Sequence, residues 1–345
     1  MLPPLQAGEV LRGRYKIVRI VGQGGMGSIY QAEDLRLEGR LCAVKEIQTD
    51  PGPNAKTQDQ AREQFYREAS VLARLDHPNL PKVSDYFAEA DRDYLVMDFV
   101  PGRDLKELMD EARQNGRFLA EAEVLGWAQQ LLDALDFLHH QDPPVVHRDI
   151  KPSNVKLTPD GRLKLVDFGL VKVLGGSEER TVTIVQGFGS VYYTPLEQYG
   201  GDTGNTDARS DIYSFGATLY HLLTNEPPAE AKQRFLRPDA LKPPRKLNPA
   251  LGARTERAIL KAMAMHPDHR PPTIAAVRDL LRGETGGLGT GPLNATRDGE
   301  SIVMQPTIRV PALETQTDWN LLIAAGLLFA LAFVATFILP MLRFG

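Results

Sequence analysis

A run of 13 residues from Val145 to Leu157, VVHRDIKPSNVKL, concentrates side chains that could do chemistry. It holds a His, an Arg, an Asp, a Lys and an Asn between apolar residues at both ends. A buried strand would not tolerate so many polar side chains, and a fully solvated loop would not need apolar anchors. The pattern predicts a loop that is held rigidly so that its polar groups can act together.

A second candidate is Lys45, which lies within the apolar run CAVKEI. A lysine in an apolar strand is costly unless an anion pairs with it. Glu68, 23 residues further on in a predicted helix, is a candidate partner. On the residue pattern alone, Lys45 could equally face outward from a half-exposed strand.

Three glycines, Gly22, Gly24 and Gly27, stand at G-x-G-x-x-G spacing in VGQGGMGSIY. Glycine lets the backbone approach phosphate oxygens and direct N–H groups at them. Simple turns and dinucleotide-binding folds share this spacing, but the latter need a helix to begin within the motif. Here SIYQA continues as a strand, so the glycines are predicted to form a β-hairpin tip over phosphates.

With LVDFGL at residues 165–170, these motifs resemble those of the eukaryotic-type (Hanks-type) protein kinases, in the bacterial Ser/Thr branch. HRDIKPSN resembles the catalytic loop of that family, and DFG resembles its magnesium loop. The resemblance covers about residues 15–283. Its motifs keep the family's order and spacing, with 18 residues from Asp149 to Asp167 and 30 from Asp167 to Glu197.

The resemblance implies an α+β, bilobal protein kinase fold, with a small β-rich lobe at about 15–97 and a larger helical lobe at about 102–283. The residue pattern predicts the same division, because β-branched runs dominate the first part and helical periodicity dominates the second. Strands are predicted at 15–21, 28–33, 41–47 and 94–100, helices at 61–75, 121–140, 211–223 and 253–265, and an irregular Pro-rich crossing at 226–249.

Phosphoryl transfer needs positioning and charge neutralisation more than covalent chemistry. By the resemblance, Asp149 would accept the proton of the substrate hydroxyl, and Lys151 would touch the γ-phosphate of ATP. Asn154 and Asp167 would hold Mg²⁺, or Mn²⁺ as an alternative, through oxygen atoms that suit a hard cation.

The same resemblance places the nucleotide between the glycine hairpin and the segment that links the lobes. Lys45 would hold the α- and β-phosphates of ATP, and Glu68 would tether Lys45. Backbone groups of Asp98 and Val100 would pair with adenine, and Met97 would stand behind it, although core packing also explains a methionine there. The other residues expected around the nucleotide are Val21, Gly22, Gln23, Gly24, Gly25, Met26, Gly27, Ile29, Ala43, Val44 and Asp104.

Two positions depart from the family pattern. Ser190 stands where Thr is usual and keeps the hydroxyl that would bond to the catalytic loop. Leu196 stands where Pro is usual, which puts the local turn in doubt. In structural roles, Glu197 would pair with Arg270, and Asp211 would brace the catalytic loop.

Lys151 also bears on the substrate, because tyrosine kinases usually carry Ala and Arg in this part of the loop. The resemblance therefore implies protein substrates with Ser or Thr hydroxyls. Arg148 is a cation that a phosphate could pair with, and Thr181 and Thr183 are candidate autophosphorylation sites, unless they are ordinary loop hydroxyls. Autophosphorylation in trans would need a transient kinase dimer. No role is predicted for the insertion at 49–60.

Two other functions compete with that of a protein kinase. A nucleotide-binding pseudokinase scaffold would lack part of the set Lys45, Glu68, Asp149, Asn154 and Asp167, all of which are present. A small-molecule kinase would not need the long segment after Asp167, which usually binds a polypeptide.

The composition is that of an ordinary globular protein. The 345 residues carry a formal net charge of -4, which gives no electrostatic reason to expect nucleic acid as a partner. A single cysteine, Cys42, rules out a disulfide within the chain and fits a reducing compartment.

The last part of the sequence differs from the rest. Residues 319–342 form 24 positions without a charge, enough for a transmembrane helix, although a buried core helix is the alternative. Residues 284–318 are rich in Gly and polar residues and are predicted to be a flexible juxtamembrane linker. We expect a single-pass cell-membrane protein with a cytoplasmic kinase domain, since ATP is cytoplasmic.

Overall fold

The computed structural model of the protein divides the chain into two units, of which the first, Met1–Leu288, contains the whole described structure. The second unit and the predicted linker and span lie outside the described residues. Among the residues that are described, no helix is long and apolar enough to cross a membrane. The described residues are 3–24, 27–47, 63, 66–89, 92–167, 172–173, 190–199 and 206–283.

The first lobe is built on a six-stranded antiparallel sheet with the order β1-β2-β3-β4-β6-β5. Four of these strands match predicted ones. No strand is predicted at β5, because its Asp85 and Glu89 belong to residue types that are depleted in strands. The strands are β1 (Val10–Leu11), β2 (Tyr15–Gly24), β3 (Gly27–Asp34), β4 (Leu41–Ile47), β5 (Val83–Glu89) and β6 (Arg92–Asp98).

Among the described residues of this lobe, helix is found at residue 63 and at residues 66–72, here called α1. It ends before the predicted boundary at 75, because the N–H groups of Arg74 and Leu75 donate to carbonyls three residues back and tighten the last turn. Leu72 and Leu75 are nevertheless buried, as the apolar periodicity predicts.

Alternation along β4 decides which way Lys45 points. Cys42 and Val44 lie in a buried cluster with Tyr30 and Val96 on one face of the sheet. Since successive side chains point to opposite faces, Lys45 points to the other face. Val44, which was expected beside the nucleotide, therefore lies on the wrong face for that role.

The second lobe is helical, and α4 is its central element. Every residue of α4 from Ser210 to Thr224 is buried, so neighbouring elements pack around it on all sides. It begins earlier than predicted, because the side chain of Asp207 caps it by accepting the N–H of Arg209 at 2.8 Å. The helices are α2 (Leu105–Gln114), α3 (Glu121–His139), α4 (Ala208–Thr224), α5 (Ala231–Leu236), α6 (Pro244–Leu247), α7 (Ala253–Ala262) and α8 (Ile274–Arg282).

The Pro-rich stretch 226–249 is not a continuous helix, as predicted, but it contains the two short helices α5 and α6. The larger hydrophobic cluster runs from Leu95 and Met97 of the first lobe to Leu105 and Met109 of the second. The predicted β-rich first lobe and helical second lobe are thus confirmed.

Short strands in the second lobe frame the polar loop. Gly102, with φ of 101°, lies against the strand Val155–Leu157. A Cβ added to it would come within 2.1 Å of the Leu157 carbonyl oxygen. The linking segment is therefore fixed against that strand at this point. The short strands are β7 (Arg103–Asp104), β8 (Val145–Val146), β9 (Val155–Leu157), β10 (Leu163–Leu165) and β11 (Lys172–Val173).

Close packing between α4 and α7 gives a stability prediction. A Cβ at Gly216 would lie 2.8 Å from the Cβ of Ala262 and 2.9 Å from the Cγ of Met263, whereas a Cβ at the exposed Gly126 of α3 meets nothing within 4 Å. We expect Gly216→Ala to lower the free energy of unfolding by about 1–3 kcal/mol through overpacking. The matched Gly126→Ala should raise it by about 0.5–1 kcal/mol through helix propensity. Urea unfolding measures both, and equal effects of the two substitutions would refute the packing argument.

Candidate active site

The polar loop is held from behind by the buried carboxylate of Asp211 in α4. Its Oδ2 accepts the backbone N–H of His147 at 2.9 Å, and its Oδ1 accepts the backbone N–H of Arg148 at 2.8 Å. The Nε2 of His139 also lies 2.9 Å from Oδ2. The bracing role expected for Asp211 is thus present in the structure.

Asp211 is ionised in this position. Burial by itself raises the pKa of the Asp211 carboxyl, but the hydrogen bond and charge of His139 and the N–H of Arg148 hold it below its ordinary value. The sequence pattern does not identify His139 as part of the site. Its only signal is its place at the end of α3, four residues after the buried Leu135.

Two non-glycine residues of the site have left-handed backbones, with φ of 69° at Arg148 and 71° at Asp167. Such conformations are uncommon for side-chain-bearing residues and persist where the surroundings fix them. The bonds from Asp211 fix the first. For the second, the N–H of Val166 donates to the carbonyl of Asn154 at 2.8 Å, which attaches Asp167 to the polar loop.

Asp149 is the centre of a hydrogen-bonded cluster. Its Oδ2 accepts from the Nζ of Lys151 and the Nδ2 of Asn154, both at 2.8 Å. Ser190 donates to Oδ1 at 3.1 Å and accepts from Lys151 at 2.8 Å. The hydroxyl at position 190 therefore makes both bonds that the sequence predicts, with Ser in place of Thr. The carboxylate is fixed in direction and its side chain is 11% exposed.

Lys45 and Asp167 form an ion pair that joins the two lobes. Burial raises the pKa of the Asp167 carboxyl, but Lys45, Lys151 and His147 together hold it below its ordinary value. Lys151 bonds to Asp149, and Val166, the residue before Asp167, donates to the carbonyl of Asn154 in the polar loop. Asp149 and Asp167 are therefore both attached to the same loop.

Glu68 of α1 is partly buried. Burial lowers the pKa of the Arg148 guanidinium, and the negative charges of Asp211 and Glu68 oppose that change. Its pairing with Lys45 stays a prediction.

The donor set fits a divalent cation that binds together with phosphate. Asn154 donates both of its hydrogen bonds to Asp149 from the amide nitrogen, and its oxygen is an atom type that Mg²⁺ accepts. Asp167 supplies an ionised carboxylate beside it. Within the described part of the chain, no group of three or more His, Cys, Asp or Glu side chains could hold a metal alone. Mg²⁺ usually combines one or two protein ligands with water and phosphate oxygens, which is what these two residues offer.

The strand register brings the expected nucleotide residues together on the sheet. Gly22 lies opposite Ile29, and Ile29 lies opposite Lys45. Ala43 lies opposite Met97, which is buried in the core cluster and so also packs the core. Gly25 and Met26 lie outside the described residues, and so does the burial of Gly24. Gln23 lies opposite Ser28 in the pairing of β2 with β3, and Val21 is exposed.

The linking segment offers backbone groups at its start and a carboxylate at its end. The N–H of Asp98 already donates to the carbonyl of Lys82 at 3.0 Å, so a backbone pairing of Asp98 with adenine would have to use its carbonyl. Val100 is buried. Asp104 caps α2 by accepting the N–H of Glu107 at 2.9 Å with Oδ1, and burial raises the pKa of its carboxyl.

The turn at Leu196 forms without proline at that position. Leu196–Gln198 is a 3₁₀ turn that begins after Pro195, and Leu196 packs against the core cluster. Glu197 accepts from the guanidinium of Arg270 at 2.5 and 3.1 Å, which is the pairing that the sequence predicts. The candidate phosphorylation sites Thr181 and Thr183 and the insertion at 49–60 lie outside the described residues.

The sequence of the chain is similar to those of known proteins. The sequence profile of the protein kinase domain matches residues 15–245. The probable serine/threonine-protein kinase PknB of Lactococcus lactis is 35% identical over 267 residues, which are 75% of this chain and 40% of that protein. Serine/threonine-protein kinase PrkC of Bacillus subtilis is 35% identical over 269 residues, which are 76% of this chain and 39% of that protein. The chain spans about 40% of the length of these curated relatives.

Solved structures show the same architecture. The kinase domain of Mycobacterium tuberculosis PknI superimposes with a TM-score of 0.62 and 28% identity, covering 82% of this chain and 100% of that one. The apo form of PpkA-294 superimposes with a TM-score of 0.64 and 28% identity, covering 80% of this chain and 99% of that one.

The Glu197–Arg270 pair gives a second prediction. The Arg270 side chain is fully buried and also donates to the carbonyls of Ala264, Met265 and Arg209. Arg270→Met leaves Glu197 buried without its cation, so we expect the free energy of unfolding to fall by about 3–5 kcal/mol.

Asp268→Asn is the control, because Asp268 is an exposed residue that pairs with Arg209 at the surface. Urea unfolding of both variants should show a large loss for Arg270→Met and no resolvable loss for Asp268→Asn. A stability near wild type for Arg270→Met would mean that the pair does not anchor this segment.

Proposed function

Since this chain belongs to the protein kinase family, we propose that it transfers the γ-phosphoryl group of ATP to Ser and Thr hydroxyls of protein substrates. One observation carries the proposal: Asp149 is bonded to Lys151, Asn154 and Ser190 directly beside the Lys45–Asp167 ion pair. This arrangement supplies a fixed proton acceptor, two cations and two metal-binding oxygens within one small volume.

In the proposed reaction, Asp149 accepts a hydrogen bond from the substrate hydroxyl and directs its oxygen toward the phosphorus. Its carboxylate cannot turn away, because Lys151 and Asn154 hold the same oxygen. Lys151 also offsets negative charge on the phosphoryl group as it moves. Ser190 ties this loop to the segment that would receive the polypeptide substrate.

Asn154 and Asp167 would hold Mg²⁺, or Mn²⁺ in its place. The cation supplies charge neutralisation for the phosphate oxygens of ATP. Lys45 would exchange its pairing with Asp167 for the α- and β-phosphates and for Glu68. That exchange keeps the buried ammonium paired throughout and frees the Asp167 carboxylate for the cation.

Autophosphorylation at Thr181 or Thr183 is part of the proposal. The Arg148 guanidinium is mostly buried, and burial lowers its pKa. Its Nε has no hydrogen-bond partner among the described residues. A phosphate on Thr181 or Thr183 would accept a hydrogen bond from this Nε. It would also place a negative charge beside the guanidinium. The reaction in trans would proceed through a transient dimer.

We further propose that the chain is anchored in the cell membrane by one helix at 319–342, with the kinase domain in the cytoplasm. The support is the sequence: 24 uncharged residues follow a Gly-rich segment of polar character. Anchoring would raise the effective concentration of kinase domains for one another and so favour phosphorylation in trans.

The function is tested by Asp149→Asn in the full-length protein with Mg-ATP and a protein substrate that contains Ser, Thr and Tyr. We expect phosphoryl transfer to fall by roughly 10²–10⁴-fold, since the acceptor carboxylate is lost. ATP affinity should change little, because Asp149 bonds to the hydroxyl and not to the nucleotide.

Asp160→Asn is the matched control, as Asp160 is an exposed residue in the turn after β9. Equal label with Asp149→Asn and wild type would end the enzyme proposal and leave a scaffold. Label mainly on Tyr would contradict the substrate class. Autophosphates found only away from Thr181 and Thr183 would remove those two sites.

The anchor is tested by protease treatment of intact cells. We expect the kinase domain to be protected, and to be digested only after the membrane is permeabilised. Digestion in intact cells would place the domain outside, and recovery in the soluble fraction after lysis would show that residues 319–342 do not span the membrane.

A further inference from the structure

Helix α5 reverses the usual distribution of side chains between surface and interior. Phe235 is 70% exposed and Leu236 is 78% exposed, whereas Arg234 beside them is only 9% exposed. A short surface helix normally buries its apolar side chains and leaves arginine in water. Two adjacent large apolar side chains that are held in solvent indicate an interaction surface.

The exposure of this pair is fixed by the anchoring of α5. Arg234 donates to the hydroxyl of Tyr213 at 3.0 Å and to the carbonyl of Met263 at 2.9 Å, and Ala231 is fully buried. These contacts hold one face of the helix against α4 and against the end of α7. Phe235 and Leu236 cannot turn inward without breaking them.

The surroundings of the pair are basic. In residues 231–246, five basic side chains are exposed against one exposed acidic side chain, Asp239. The full chain has the opposite balance, with 40 Lys and Arg against 44 Asp and Glu. One of the five, Lys242, is partly neutralised by Glu226 at 3.1 Å. The five basic side chains are Lys232, Arg237, Lys242, Arg245 and Lys246.

The chain leaves the described structure beside this segment. At the start of α7, Arg254 donates to the carbonyl of Arg282 at the end of α8, at 2.9 Å. Two residues further along α7, Glu256 accepts the N–H of Arg245 at 3.0 Å. The exit point at Gly283 and the basic end of segment 231–246 therefore share one end of α7.

We propose that the surface formed by residues 231–246, here called the α5 surface, docks on the anionic lipid surface of the membrane that anchors the chain. Phe235 and Leu236 would enter the interface between headgroups and acyl chains, while the basic side chains pair with lipid phosphates. Apolar side chains ringed by Lys and Arg are the combination that binds anionic bilayers peripherally.

The length of the predicted linker permits this contact. Residues 284–318 as a Gly-rich coil have an end-to-end distance of about 30–35 Å. A domain of this size has a radius of gyration of about 18 Å. The tether is comparable with the size of the domain, so the domain stays within reach of the lipid surface. This inference rests on the proposed membrane anchor.

Docking would also reach the substrate-binding segment. The ammonium of Lys232 lies 4.2 Å from the ring centroid of Tyr199, and the Tyr199 hydroxyl donates to the carbonyl of Val191 at 3.1 Å. Lipid phosphates that compete for Lys232 would weaken the first contact. Membrane docking and the position of residues 190–199 are thereby connected through one side chain.

The test uses the full-length protein in vesicles, with an environment-sensitive fluorophore on Gln233→Cys within the α5 surface. Burial raises the pKa of the native Cys42 thiol to about 11, so the introduced cysteine is labelled selectively. The vesicles contain phosphatidylcholine alone or phosphatidylcholine with phosphatidylglycerol. We expect a blue shift only with phosphatidylglycerol, which salt reduces. A probe on Glu38→Cys in the first lobe should not respond.

Arg237→Glu with Lys246→Glu should lower the docked-to-undocked ratio by on the order of tenfold or more. The double substitution Phe235→Ser with Leu236→Ser should abolish the blue shift of the probe. Arg19→Glu with Arg36→Glu is the matched control, because it makes the same change in net charge at exposed positions of the first lobe.

Identical spectra in the two lipids would overturn the proposal. A shift that follows the protein-to-lipid ratio instead of phosphatidylglycerol content would assign the α5 surface to a second copy of the chain and would also overturn it. Flotation with phosphatidylcholine vesicles reports the anchor separately. If the chain does not float, the anchor is absent. The same probe is then measured with added anionic vesicles, where a blue shift would support docking by the α5 surface and no shift would exclude it.

Discussion

The buried carboxylate of Asp211 determines where the chemistry of this protein can take place. It sits on the most buried helix of the second lobe and fixes two consecutive backbone N–H groups of the polar loop. Those bonds hold Arg148 in a left-handed conformation that it would not adopt in a free loop. Asp149, the next residue, is thereby directed at Lys151 and Ser190. A single ionised group in the core thus sets the direction of the carboxylate on which phosphoryl transfer would depend.

The ion pair of Lys45 and Asp167 makes the corresponding connection between the lobes. Its members are 122 residues apart in sequence, and Lys45 is almost completely buried. A buried ammonium must have an anion near it, so the first lobe cannot separate from Asp167 unless another anion replaces that carboxylate. Phosphate is such an anion. The electrostatic need of one lysine therefore connects nucleotide binding with the arrangement of the lobes.

Local patterns in the sequence were sufficient for much of the fold and for the composition of the site. Alternation and apolar periodicity locate four strands and four helices, because those signals come from the burial of apolar side chains. They fail at β5, where polar residues interrupt the strand, and at α5, where one of the two buried residues is an arginine. Pairing across long sequence separations is also invisible to pattern. The motifs place Asp149 and Asp167 in one site, but nothing near His139 indicates that its ring supports Asp211.

At position 196 the sequence suggested a disturbance that the structure does not show. Leu196 replaces the expected proline, but the turn forms because Pro195 and Arg270 already determine it.

Gly102 divides the connection between the lobes into a movable and an immovable part. Its backbone touches the Leu157 carbonyl so closely that no side chain fits, and everything after it moves with β9. Any change in the angle between the lobes must then be taken up by residues 99–101, directly before it. Those three positions contain Val100, whose backbone is expected to meet the adenine ring. If adenine pairs with Val100 as proposed, the bound base lies against the same peptide units that permit the lobes to move, and its binding would also restrict that movement.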